Sequence, residues 1–151
     1  MTNLTRNQPR RTRGTIEIGS MAAPTSAATT LFVGSAVQEN AGQLENATGA
    51  GTSFAGILIE QATGNGAIDD NNRARYVEGG EVLLNVDATG AGTIARTDVG
   101  ATVYLTDGNA FTLDSTSAQA IGKVTEVPAG AHGASAADLW VFVQGVQRRS
   151  L

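Results

Sequence analysis

Cysteine is absent from the 151 residues, which excludes disulfides and thiolate metal sites. No apolar run approaches the ~20 residues a helix needs to cross a bilayer, and the opening MTNLTRNQPRRTRG lacks the apolar stretch of a secretory leader. A soluble, unprocessed protein without a membrane partner is expected. Only three prolines occur, so turns fall to the nineteen glycines. No long segment repeats apolar residues at i, i+3, i+4 and i+7, which leaves helix as a minor component. Histidine occurs once, as His132, and lysine once, as Lys123. A chain of this length forms one domain able to bury roughly 68–70% of its unfolded surface.

Charge is unevenly placed. Residues 1–14 carry Arg6, Arg10, Arg11 and Arg13 without an acid, while residues 15–151 hold six basic against fourteen acidic side chains, a net of −8. A basic N-terminal arm thus precedes an acidic β-rich domain. The four arginines repel one another, and Pro9 and Gly14 discourage helix, so the arm by itself is expected to be extended and mobile. Its chemistry suits an acidic protein surface through Arg–carboxylate bonds. Direct nucleic-acid binding is not expected, because the body lacks basic residues interleaved with aromatics.

Strand signals dominate the remainder. EVLLNVD sets Val82, Leu84 and Val86 on one face and Glu81, Asn85 and Asp87 on the other. ATVYLTDGNAFTLD reads as a hairpin with a positive-φ turn at Asp107-Gly108. LWVFVQG is continuously apolar and is expected to be a strand buried on both faces, with Trp140 or Phe142 in the core. TIEI, LFVGSAVQ, FAGILIEQ, RARYVEG and AIGKVTEV complete nine candidates, and the fold class is all-β, a small sandwich or barrel.

Two repeats are visible. ATGAGT occurs at Ala47–Thr52 and Ala88–Thr93, but neither copy opens a helix or brings a lysine, so both read as turns rather than phosphate loops. At an offset of 66 residues, Val33, Gly34, Val37, Gly42, Gly56, Glu60, Gly64, Val77 and Gly79 recur as Val99, Gly100, Val103, Gly108, Gly122, Glu126, Gly130, Val143 and Gly145. This pattern predicts an internal duplication of one strand-turn-strand unit, each copy too small to bury its own apolar face.

The search for chemistry finds little. A Ser-His-Asp site would have to use His132 with Ser53 or Ser135, and both serines miss the final glycine of a nucleophile elbow. Asp69, Asp70, Asn71 and Asn72 offer oxygen ligands without the spacing of a calcium loop. Glu60 and Glu126 are related by the repeat and would serve glycoside hydrolysis only if they faced each other at catalytic separation. No metal or other cofactor is expected.

The order of the segments TIEIGSMAAPTSAATTLFVGSAV, FAGILIEQA, EGGEVLLNVDATG, VGATVYLTDGNAFTLD, AIGKVTEVPAG and LWVFVQG, across residues 15–146, resembles the small capsid cement, or head decoration, proteins of tailed bacteriophages. The resemblance implies an all-β structural protein of the virion, located on the outer capsid surface. It implies the major capsid protein as partner and stabilisation of the expanded shell, without enzymatic activity. A homo-oligomer on the capsid is also expected, a trimer being favoured. The arginine arm and the closing QRRSL extend beyond the family pattern. Arg6, Arg10, Arg11 and Arg13 are the candidate partner contacts. A β-sandwich adhesin or glycan-binding module of a phage fibre or cell surface is the alternative.

Overall fold

The computed structural model describes residues 3–24, 28–66, 71–90, 92–116 and 119–145. Eleven strands are present among them: β1 (Thr12–Ala22), β2 (Thr30–Leu31), β3 (Ala36–Asn40), β4 (Gln43–Asn46), β5 (Phe54–Leu58), β6 (Ala62–Thr63), β7 (Arg73–Asp87), β8 (Thr102–Asp107), β9 (Ala110–Thr112), β10 (Gln119–Glu126) and β11 (Ala136–Gln144). Two single 3₁₀ turns, Arg96–Asp98 and Ala129–Ala131, are the helical content of the described residues. The all-β expectation is met.

Nine strands form one sheet in the order β1-β4-β3-β5-β7-β11-β10-β8-β9, with further pairings of β7 to β1 and to β9. These extra pairings close it twice. A first ring runs β1-β4-β3-β5-β7 and returns to β1; a second runs β7-β11-β10-β8-β9 and returns to β7. Parallel pairing seals each ring, Ala22 with Gln43 in the first and Val86 with Phe111 in the second. The molecule is therefore two five-stranded barrels sharing one long strand. RARYVEG and EVLLNVD, expected as separate strands, run together as β7, and the passage between rings falls at Gly79-Gly80. Gly80 has φ 140°, and a Cβ there would stand 2.8 Å from Cγ2 of Ile16 on β1. Glycine lets the strand bend where two barrels meet.

The 66-residue repeat is matched in the pairing. Ala36, Val37 and Gln38 of β3 pair with Ile57, Gly56 and Phe54 of β5; 66 residues on, Thr102, Val103 and Tyr104 of β8 pair with Lys123, Gly122 and Ala120 of β10. Both ladders carry an irregularity at the same place. Gly34 N donates to Leu58 O at 2.8 Å, and Gly100 N donates to Val124 O at the same distance. The equivalence then slips by one residue. Ile57 pairs with Val77, whereas Lys123 pairs with Phe142 rather than Val143. A one-residue slip exchanges the two faces of a strand. Ala74 and Tyr76 of β7 therefore point into the first barrel, while Leu139, Val141 and Val143 of β11 point into the second.

That slip corrects the reading of LWVFVQG. Leu139, Val141 and Val143 are fully buried, Trp140 is half-buried and Phe142 is 42% exposed. The strand is buried on one face, and both rings lie on its outer face. β5 takes the role expected of β11: Phe54, Ala55, Gly56, Ile57 and Leu58 are all buried. Ala55 and Leu58 face the first barrel, and Phe54 and Ile57 join Ala36 and Val77 in the same cluster as the interior of the second.

Two turn expectations change. LFVGSAVQ divides into β2 and β3 at Gly34, which has φ 95°. The β8–β9 turn uses Gly108 and Asn109 without positive φ. Asp107 Oδ1 accepts from Asn109 N at 2.9 Å, an Asx turn that needs no left-handed residue. Gly108 is required for space, since a Cβ would stand 2.9 Å from Oδ1 of both Asn3 and Asn46.

Candidate functional site

The arm is folded onto the body. Strand β1 starts at Thr12, two residues before the expected end of the arm, and pairs Thr12 with Val82 and Arg13 with Glu81. Upstream, Leu4 is 6% exposed. Gln8 N donates to Val33 O at 2.8 Å, Asn7 Oδ1 accepts from Val33 N at 2.9 Å, and Asn3 Oδ1 accepts from Gly108 N at 3.0 Å. Val33 precedes the first barrel's β3 and Gly108 lies in the second barrel's hairpin, so the arm is a clasp across their junction. The expectation of a mobile arm is corrected on this ground: backbone pairing and one buried leucine hold it despite the clustered charge.

The four arginines divide. Arg10 donates to Gly34 O at 3.0 Å and to Asn109 Oδ1, with its guanidinium 5.8 Å from the Phe111 ring centroid. Burial lowers its pKa, and the charge of Asp138 acts in the opposite direction. Arg13 makes a two-pronged pair with Glu81 at 3.0 and 3.1 Å and reaches Glu126 at 3.1 Å. Its guanidinium also stacks 4.3 Å from the Trp140 centroid. These hydrogen bonds, Glu81 first, raise the pKa of Arg13; the Arg13 and Thr125 bonds lower that of Glu81. Arg10 and Arg13 thus direct their charge inward. Arg6 and Arg11 remain exposed.

Among the described residues, two grooves lie on the outside of the second barrel. The first, on the outer face of β8, β10 and β11, is about 450 Å³ and is lined by Thr102, Ala120, Gly122, Lys123, Phe142 and Gln144. Its counterpart on the first barrel, Ala36, Phe54, Ile57 and Val77, packs with the interior of the second barrel, and Ile57 and Val77 also share a groove with Pro9 and Arg10 of the arm. The second is a groove of about 430 Å³ in which Trp140, Pro128, Ala131 and Ala137 meet Arg11, Glu126 and Asp138.

The remaining candidates do not assemble into a catalytic arrangement. Ser53 Oγ donates to Glu39 O at 2.6 Å, and exposed His132 bonds to neither serine among the described residues. Glu60 pairs with Arg75 at 2.8 Å and Glu126 with Arg13 at 3.1 Å, so each carboxylate has its own cation. The Arg75 hydrogen bond lowers the pKa of Glu60, opposite to the shift a general acid needs. Asp69 and Asp70 lie outside the described residues, and Asn72 Nδ2 is given to Thr63 O at 2.9 Å. The ATGAGT copies share a turn: Gly51 N donates to Thr48 O and Gly92 N to Thr89 O.

A buried polar seam escaped the sequence reading. Gln119 Oε1 accepts from Phe54 N at 2.8 Å, while its Nε2 donates to Thr48 O at 2.7 Å and Gln38 Oε1 at 3.1 Å. Gln38 and Gln119 are 6% and 3% exposed, so these bonds join the barrels out of contact with bulk water. The only available signal was indirect: Gly51 sits where a Cβ would stand 2.2 Å from Gln38 Oε1. No protein-family model, curated protein or solved structure matches the chain.

Proposed function

We propose that this chain is a capsid cement protein, a non-enzymatic virion component that binds the outside of a tailed-phage head shell and stabilises it. The family resemblance of the segment order supports the reading, and one structural observation carries it. The outer face of β8, β10 and β11 is the repeat of a face that the molecule itself uses for barrel-to-barrel packing. It retains an apolar floor around Phe142 while Ile57 is replaced by Lys123 at the equivalent position. An apolar groove with one cation at its edge fits a protein surface that supplies an apolar residue beside a carboxylate. The major capsid protein is the proposed partner, with homo-oligomers arrayed on the outer surface of the virion.

Arg6 and Arg11 are the arm residues left to contribute charge. Deleting residues 1–14 would remove Leu4, Arg10 and part of β1 from the fold, so point substitutions make the cleaner test. Co-sedimentation with expanded, undecorated capsids is expected to show at least about a tenfold loss of affinity for Phe142→Asp and Lys123→Glu. Arg6→Ala with Arg11→Ala should cost less, and mainly at low salt. Unchanged occupancy for both groove variants would remove this face from the interface.

A further inference from the structure

We propose that the groove beside Trp140 is a saccharide-binding site for a neutral pyranose. It is a site on the isolated chain and does not depend on capsid attachment. The slip in the β10–β11 register turns Trp140 outward, and the ring becomes one wall of a groove of about 430 Å³. Arg13 stacks over the indole at 4.3 Å and is not among the residues that line the groove. Arg13 is itself tied to Glu81 and Glu126, which holds the indole in place before any ligand arrives.

The lining matches what a sugar presents. A pyranose has an apolar face of C–H groups and a rim of hydroxyls. Trp140, Pro128, Ala131 and Ala137 offer the apolar side, and Glu126, Asp138 and Arg11 offer acceptors and a donor at the edges. Asp138 is oriented by Asn85 Nδ2, which donates to its Oδ1 at 3.1 Å. Glu126 shares one oxygen with Arg13 and has a half-exposed side chain, leaving it further acceptor capacity. Two carboxylates against one guanidinium disfavour anionic sugars, and hence select a neutral ring over a uronic or sialic acid.

Trp140 is the only tryptophan, so the indole fluorescence comes from this ring alone. Purified protein would be titrated with methyl glucoside, methyl galactoside, methyl mannoside and N-acetylhexosamines, with saturation-transfer NMR on the same samples. At least one neutral sugar is expected to bind with Kd on the order of 1 mM and shift the indole emission. Asp138→Ala and Glu126→Gln should each weaken that sugar about tenfold while leaving the circular dichroism unchanged. Trp140→Phe retains an aromatic wall and should bind measurably by NMR, whereas Trp140→Ala should not. The proposal is overturned by an absence of binding to every sugar up to about 50 mM, by binding that leaves the indole emission unchanged, or by binding indifferent to Asp138 and Glu126. A failure here leaves the capsid test untouched, because that test reads co-sedimentation of Phe142 and Lys123 variants, and these two residues line the neighbouring groove and not this one.

Discussion

The two barrels share one pattern yet expose different faces, and the difference is set by what lies next to each. On the first, Phe54, Ile57 and Val77 face outward and are nevertheless fully buried, because the second barrel and the arm lie against them. On the second, Ala120, Lys123 and Phe142 hold the corresponding places and meet the groove. Substitution has followed exposure: phenylalanine and isoleucine under cover, alanine and lysine where the cover ends. A repeat protein needs such a polar terminal face to stay soluble.

The sharpest way to break this comparison is to truncate one aromatic on each face. Phe54→Ala should cost about 3–5 kcal/mol in urea unfolding, the range for a buried phenylalanine, whereas Phe142→Ala should stay within about 1 kcal/mol. Similar losses at both positions would mean that the second face is covered as fully as the first.

Next in size are the paired glycines. A Cβ at Gly56 would stand 2.1 Å from Val77 O, and one at Gly122 would stand 2.0 Å from Phe142 O. Neither backbone can yield without breaking its ladder, so Gly56→Ala and Gly122→Ala should each destabilise by about 3 kcal/mol. The measurement sharpens the repeat itself. A Gly122→Ala variant with the melting temperature of the parent would show that the two bulges are not equivalent.

The smallest expected effect concerns the clasp. Glu81 has a pKa lowered chiefly by its hydrogen bonds to Arg13 and Thr125. A carboxylate with a depressed folded-state pKa stabilises at pH above its ordinary value of 4.5, and that contribution disappears as pH falls through the lower folded value. Because Arg13 also stacks on Trp140, acid titration of the indole emission should show a transition below pH 4.5 that is lost in Glu81→Gln. The pair is largely solvated, so its effect on global stability should be slight and weaken with salt. An identical titration in the variant would assign the transition to another group.

Much of the architecture was legible in local pattern. Alternation in EVLLNVD placed Val82, Leu84 and Val86 inward, as they are, and the matched Gly56 and Gly122 announced equivalent ladders because each permits a close backbone approach that a side chain would block. LWVFVQG resisted because period-two alternation carries no information when every position is apolar. The direction of Trp140 and Phe142 depended on a one-residue slip against β10, a non-local choice. The candidate surfaces were legible only in part. Arg6 and Arg11 remain exposed as arm residues, while Arg10 and Arg13 found partners at Asn109 and Glu81, far along the chain.

The sequence by itself therefore determined strand content and the twofold repetition, both consequences of side-chain period and glycine sterics within a few residues. Only the tertiary structure decided that two rings close, that they share β7 and that the arm fastens them. Only it turned the single tryptophan into the wall of a groove. Those outcomes depend on register and on which apolar face a distant strand happens to cover, and sequence neighbours do not encode either one.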